Sequence, residues 1–222
     1  MLGETFDHIA CALAGEAKWS IVLYLAWEPL MEAFFVSTGV VALAEIGDKS
    51  QLLAFILAAR FKRPVPIILG ILCATLVNHG LAGALGAWMT AAVKPAALRW
   101  LLGLSFIGMA IWTMIPDEIE QEEARVAKRL GVFGATLVTY FLAEMGDKTQ
   151  IATIALAAHY GTPLIVVMGT TLGVLLADVP IIFVGDKLAS KIPMKLVHSI
   201  AAAVFAVLGM ATLFGAGARL GI

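Results

Sequence analysis

The chain has 222 residues, of which 61% are apolar and 14% charged, and its mean hydropathy is +0.95. Soluble domains run about 45–50% apolar and about 25% charged, so this is not the composition of a soluble globule. A net charge of −1, from 15 Lys plus Arg against 16 Asp plus Glu, excludes a basic nucleic-acid binder and a charged disordered tail.

Residues 1–31 are read as an N-terminal extension. Glu16 and Lys18 interrupt its apolar stretch, and it lacks the basic start and A-x-A site of a signal peptide. Two readings fit: an interfacial helix with Trp19, Tyr24 and Trp27 at the headgroups, or residues upstream of a true start at Met31. The second is preferred, because every feature with a chemical reading follows Met31. Beyond it, apolar runs bounded by Pro, Gly and charge predict six membrane-spanning helices at about 32–59, 65–90, 96–115, 131–159, 163–184 and 196–215. The runs are continuous rather than alternating, which favours helices over a closed β-barrel. The runs 32–59 and 131–159 would extend about 42 Å at 1.5 Å per residue, against a hydrocarbon core of about 30 Å. Each must tilt, kink or break, and each carries Gly-Asp-Lys near its middle. Cys11 and Cys73 form no disulfide or zinc framework, and Cys73 reads as a small buried hydrophobe.

Basic residues set the expected orientation. Nine of them (Arg60, Lys62, Arg63, Arg125, Lys128, Arg129, Lys187, Lys191 and Lys195) fall in three connectors on one side, against Lys18, Lys94, Arg99 and Arg219 on the other. This predicts cytoplasmic basic loops and both termini outside. The acidic linker 117–130 belongs to the cytoplasmic side, since acidic residues count little for topology.

The chain also repeats itself. Glu45-Ile46-Gly47-Asp48-Lys49-Ser50-Gln51 returns 99 residues later as Glu144-Met145-Gly146-Asp147-Lys148-Thr149-Gln150, and the same offset aligns Pro64 with Pro163 and Gly70 with Gly169. The organisation read from this is a first three-helix repeat at 32–116, the linker at 117–130 and a second repeat at 131–216. An odd number of spans per repeat inverts one copy relative to the other, as in secondary transporters built around discontinuous helices.

The repeated heptad carries chemistry. Ionisable groups at membrane depth are costly unless paired or hydrated, and mark a pathway by default. Glu45 with Asp48, and Glu144 with Asp147, are spaced to share a helical face, and two inverted copies bring four carboxylates to the pseudo-twofold axis. Ser50, Gln51, Thr149 and Gln150 add neutral oxygens. Such a set suits a hard divalent cation (calcium, magnesium or manganese), and with no Cys or His near the motifs on these helices zinc and copper are disfavoured. Crowded carboxylates in a low dielectric also hold protons, so metal and protons can compete for the same groups. Gly47 and Gly146 let the backbone bend and free carbonyl oxygens. Lys49 and Lys148 lie four residues after their glutamates, the spacing of an ion pair. They are read as balancing charge and standing in for the cation when none is bound. Asp178 is a further intramembrane carboxylate on the pathway, and its repeat counterpart His79, with Asn78, is read either as pathway or as interhelical hydrogen bonding. Gly80, Gly83, Gly86, Gly169 and Gly173, with Thr170 and Thr171, read as close helix packing. Gly185-Asp186-Lys187 lacks the preceding Glu and is read as a chance echo.

The doubled E-x-G-D-K-[ST]-Q signature, six spans and acidic central loop resemble the GDT family of cation/proton exchangers over about 32–215. That resemblance implies facing motif helices whose acidic residues, here Glu45, Asp48, Glu144 and Asp147, form the cation site, with Gln51 and Gln150 flanking. The compact length resembles a bacterial, inner-membrane member. The expected function is an antiporter that moves manganese, or also calcium, out of the cytoplasm in exchange for protons, with no prosthetic group and with the lipid bilayer and the divalent ion as partners. An exporter of another small solute on a similar fold is the alternative, but four carboxylates argue for a cation. An intramembrane aspartyl protease is disfavoured by Glu at position 45 and by the lack of a Tyr-Asp pair. A primary pump is excluded for this chain alone, which has no Walker-type loop.

Overall fold

The computed structural model describes residues 27–115, 130–184 and 194–214. The readings that place Cys11, Trp19 and Tyr24, the linker up to Arg129, and the Gly185-Asp186-Lys187 echo all lie outside them. Among the described residues there are eight helices and no strand: α1 Trp27–Glu45, α2 Lys49–Phe61, α3 Pro64–Ala92, α4 Pro95–Trp112, α5 Gly131–Glu144, α6 Lys148–Tyr160, α7 Pro163–Val184 and α8 Met194–Leu213. Five of these are long and apolar enough to cross a membrane, namely α1, α3, α4, α7 and α8, and α5 is a shorter apolar helix. The protein is a multi-pass membrane protein, all-helical among its described residues. Its chain divides into Met1–Glu32 and Ala33–Ile222 as compact units. Of the first, only residues 27–32 are described, and they are helical.

Local chemistry explains the boundaries. Prolines 64, 95 and 163 open α3, α4 and α7, where the missing N–H costs nothing and the fixed φ suits the first turn. Helices α2 and α6 close on left-handed residues, Lys62 (φ 53°) and Gly161 (φ 65°), whose N–H groups bond back to the carbonyls of Ala58 and Ala157. The two overlong spans are not kinked but broken. Gly47 (φ 85°) and Gly146 (φ 78°) take the left-handed conformation that ends a helix and that side-chain-bearing residues rarely adopt. Each span therefore becomes two helices with a three-residue turn between them. The described residues before the expected start at 32, from Trp27 on, are already helical.

The repeat governs the packing. Helix ends at 45 and 144, and starts at 49 and 148 and at 64 and 163, all differ by 99 residues. Helices α2 and α6 pack against α7 and α3 respectively, so each leans on the other repeat. Gly70 on α3 abuts Thr136 and the Phe133 carbonyl on α5, while Gly169 on α7 abuts Ser37 and the Phe34 carbonyl on α1. These two contacts exchange under the same offset. Gly83, Gly86 and Gly173 are likewise crowded by neighbouring helices, as expected of small residues at intramembrane crossings. Gly80 has nothing within 4 Å of where a Cβ would stand, so packing does not account for it. Cys73 is half-buried rather than buried, with a free thiol.

Candidate cation site at two broken helices

The breaks decide where the acidic residues go. Glu45 and Glu144 are the last residues of α1 and α5, and Asp48 and Asp147 are the N-caps of α2 and α6. They do not share a helical face as their spacing suggests, because the glycine between them ends one helix before the next begins. All four are buried. An N-cap aspartate ordinarily accepts from the first-turn N–H groups, yet neither Asp48 nor Asp147 makes that bond.

Their carboxylates turn instead to the other repeat. Lys148 Nζ donates to Asp48 Oδ1 at 2.6 Å, and Lys49 Nζ stands 4.0 Å from Asp147 Oδ1. The expected pairs between Glu45 and Lys49, and between Glu144 and Lys148, are replaced by this crossing, since each break removes the lysine from its glutamate's helix. Each glutamate is held by a hydroxyl of its own motif. Ser50 Oγ donates to Glu45 Oε1, and Thr149 Oγ1 donates to Glu144 Oε2 at 3.1 Å. The glutamines serve the turns: Gln51 Oε1 accepts from the Gly47 N–H at 2.9 Å, and Gln150 Oε1 from the Gly146 N–H at 2.7 Å. Their amide nitrogens reach the repeat-related positions 177 and 78. Gln51 donates to the Ala177 carbonyl at 3.0 Å and Gln150 to Asn78 Oδ1 at 3.4 Å.

Asp178 on α7 joins the same region. It accepts a hydrogen bond from the Tyr140 hydroxyl and lies within electrostatic reach of Asp48, Glu45 and Glu144. Asn78 donates to the Phe141 carbonyl at 3.0 Å, and His79 Nδ1 is 2.9 Å from Thr170 Oγ1. Interhelical hydrogen bonding thus accounts for both of them, with Asn78 also linked to the second motif through Gln150. Two contributors escaped the sequence reading. Tyr140 is fully buried, and His198 on α8 donates from Nε2 to the Ile46 carbonyl at 3.2 Å. Their repeat counterparts are Val41 and Arg99, so the repeat gave no signal for either.

The chemistry divides cleanly. Two aspartates face ammonium groups, which favour only the carboxylate anion. Glu45, Glu144 and Asp178 face hydroxyls, which donate to a carboxylate and accept from a carboxylic acid, so they accommodate both protonation states. Each of these three, and Asp147, also carries one buried oxygen with no hydrogen-bond partner among the described residues. As arranged, no three His, Cys, Asp or Glu side chains among the described residues are grouped to hold a metal ion.

A family model described as the divalent cation/proton antiporter GDT1 matches residues 33–121 and 132–219, one match per repeat. The chain belongs to that family. It is a transporter, not an enzyme. A protein of Vibrio cholerae serotype O1 named "Putative manganese exporter" is 45% identical over 196 residues, covering 88% of this chain and 97% of that protein. GDT1-like protein 4 of Oryza sativa subsp. indica is 30% identical, over 79% of this chain and 71% of its own length. GDT1-like protein 5 of Arabidopsis thaliana is 27% identical, over 83% and 96%. No solved structure matches.

Proposed function

We propose that this chain exports manganese from the cytoplasm in exchange for protons, with calcium as a second cargo that the same oxygen ligands accept. The crossing of the two motifs carries this reading: Asp48 meets the lysine of the second motif and Asp147 that of the first. Acidic groups from both repeats therefore meet in one buried region. Glu45, Asp48, Glu144 and Asp147 are the cation ligands, with Ser50, Gln51, Thr149 and Gln150 flanking them and Asp178 on the pathway. The hydroxyl-held carboxyls are the proton carriers.

Repeats at 32–116 and 131–216, related by a twofold axis in the membrane plane, rock about this cluster, and the 117–130 linker lies in the cytoplasm with the other basic loops. The exchanging glycine contacts support that symmetry, because a twofold pairs each patch with its copy. The name of the Vibrio relative supports manganese over calcium as the cargo.

The test is flux in proteoliposomes carrying a pH gradient. Manganese movement should follow the gradient, and Asp48→Asn or Asp147→Asn should abolish it in folded protein. Undiminished flux in both variants would overturn the site assignment. Flux indifferent to pH would overturn the exchange.

A further inference from the structure

The two crossed ion pairs are equivalent by sequence but not by geometry. Lys148 lies 2.6 Å from Asp48 with its side chain 1% exposed, whereas Lys49 lies 4.0 Å from Asp147 and is 29% exposed. The backbones do not differ. Asp48 sits at φ −79°, ψ 168° and Asp147 at φ −79°, ψ 167°. What differs is how far each ammonium is drawn in, so one pair is closed while its counterpart is loosened.

An ammonium at 2.6 Å from a carboxylate oxygen fills the place that a metal ion needs at Asp48. Metal and lysine are therefore mutually exclusive there. Yet Asp48 is buried, and a buried charge that loses its partner is strongly disfavoured. We infer that Lys148 and Lys49 are tethered counter-cations for the metal-free carrier: each holds the other repeat's aspartate, and they exchange closed and loosened roles as the site turns from one side of the membrane to the other. This rests on the cation/proton reading above.

Charge balance then assigns the lysines to one half of the cycle. On the metal-loaded leg the ion itself neutralises the aspartates, and the ammonium groups stand aside. On the return leg the ion is gone, and Lys148 and Lys49 neutralise Asp48 and Asp147 in its place. Without a lysine, an aspartate on that leg has lost its counter-cation, whereas on the loaded leg the ion still holds it, and an unbalanced carboxylate in the membrane interior is costly.

The experiment separates the legs in the full-length protein reconstituted into liposomes. Exchange of radioactive for unlabelled manganese needs only the loaded carrier, whereas net manganese flux driven by a pH gradient also needs the return. In Lys49→Gln and Lys148→Gln, net flux should fall about tenfold more than exchange does, and Lys148→Arg should restore net flux. Parallel loss of both fluxes would mark the lysines as merely structural, and undiminished net flux would remove them from the cycle. Either result overturns the inference. If Lys148→Gln does not fold, Lys49→Gln decides alone, because its side chain is partly exposed. A wild-type protein inert in both assays would instead sink the antiport reading itself.

Discussion

Carboxyl groups of the same kind keep different company within one buried region, and their neighbours distinguish them. Ser50 and Thr149 stand beside their glutamates within the motif, so their part was legible as nearby oxygen chemistry. The Tyr140–Asp178 bond was not, because Tyr140 lies in an apolar run and only tertiary packing brings α5 to α7. Tyr140→Phe removes the donor and leaves Asp178 buried without it. Stability in detergent should drop by about 1–3 kcal/mol, read by thermal unfolding, and manganese flux should drop with it. A variant as stable and active as wild type would show that the bond does not matter. The lysine partners were also hidden. An i,i+4 rule presumes a continuous helix, and Gly47 and Gly146 remove that premise.

Helix starts at proline and the breaks at Gly-Asp-Lys could be read from the chain, since both rest on local backbone chemistry. The close crossings were read from glycine content alone, which finds Gly169 and wrongly includes Gly80. Substitution separates the cases by sign. Gly39 on α1 has open space around it, so Gly39→Ala should stabilise by about 0.5–1 kcal/mol through helix propensity. At Gly169 a new Cβ would stand 2.6 Å from the Phe34 carbonyl oxygen. Backbone cannot step aside as a side-chain tip can, so Gly169→Ala should destabilise by about 1–3 kcal/mol. Thermal unfolding of the two variants in one detergent checks the pair, and equal signs would refute the packing argument.

Both repeats lie in a single compact unit, with α2 leaning on α7 and α6 on α3. The duplication was legible as a 99-residue offset, whereas the interleaving was not, because nothing in a repeat says which copy its elements pack against. The proposed inversion has a direct test in the turns after α2 and α6. With Cys11 and Cys73 replaced by Ser, Arg63→Cys and Thr162→Cys should react with a membrane-impermeant thiol reagent from opposite faces, Arg63→Cys from the cytoplasmic one. Labelling from the same face would exclude the inversion. The crossing also sets a clock for biogenesis. Asp48 and Lys148 are 100 residues apart in the chain, and ribosomes add roughly 5–20 residues per second. The first motif therefore waits in the nascent chain for roughly 5–20 s before the ammonium that neutralises its aspartate has been made. Until then the half-made protein holds, at membrane depth, an acidic residue whose ammonium partner from the second motif does not yet exist.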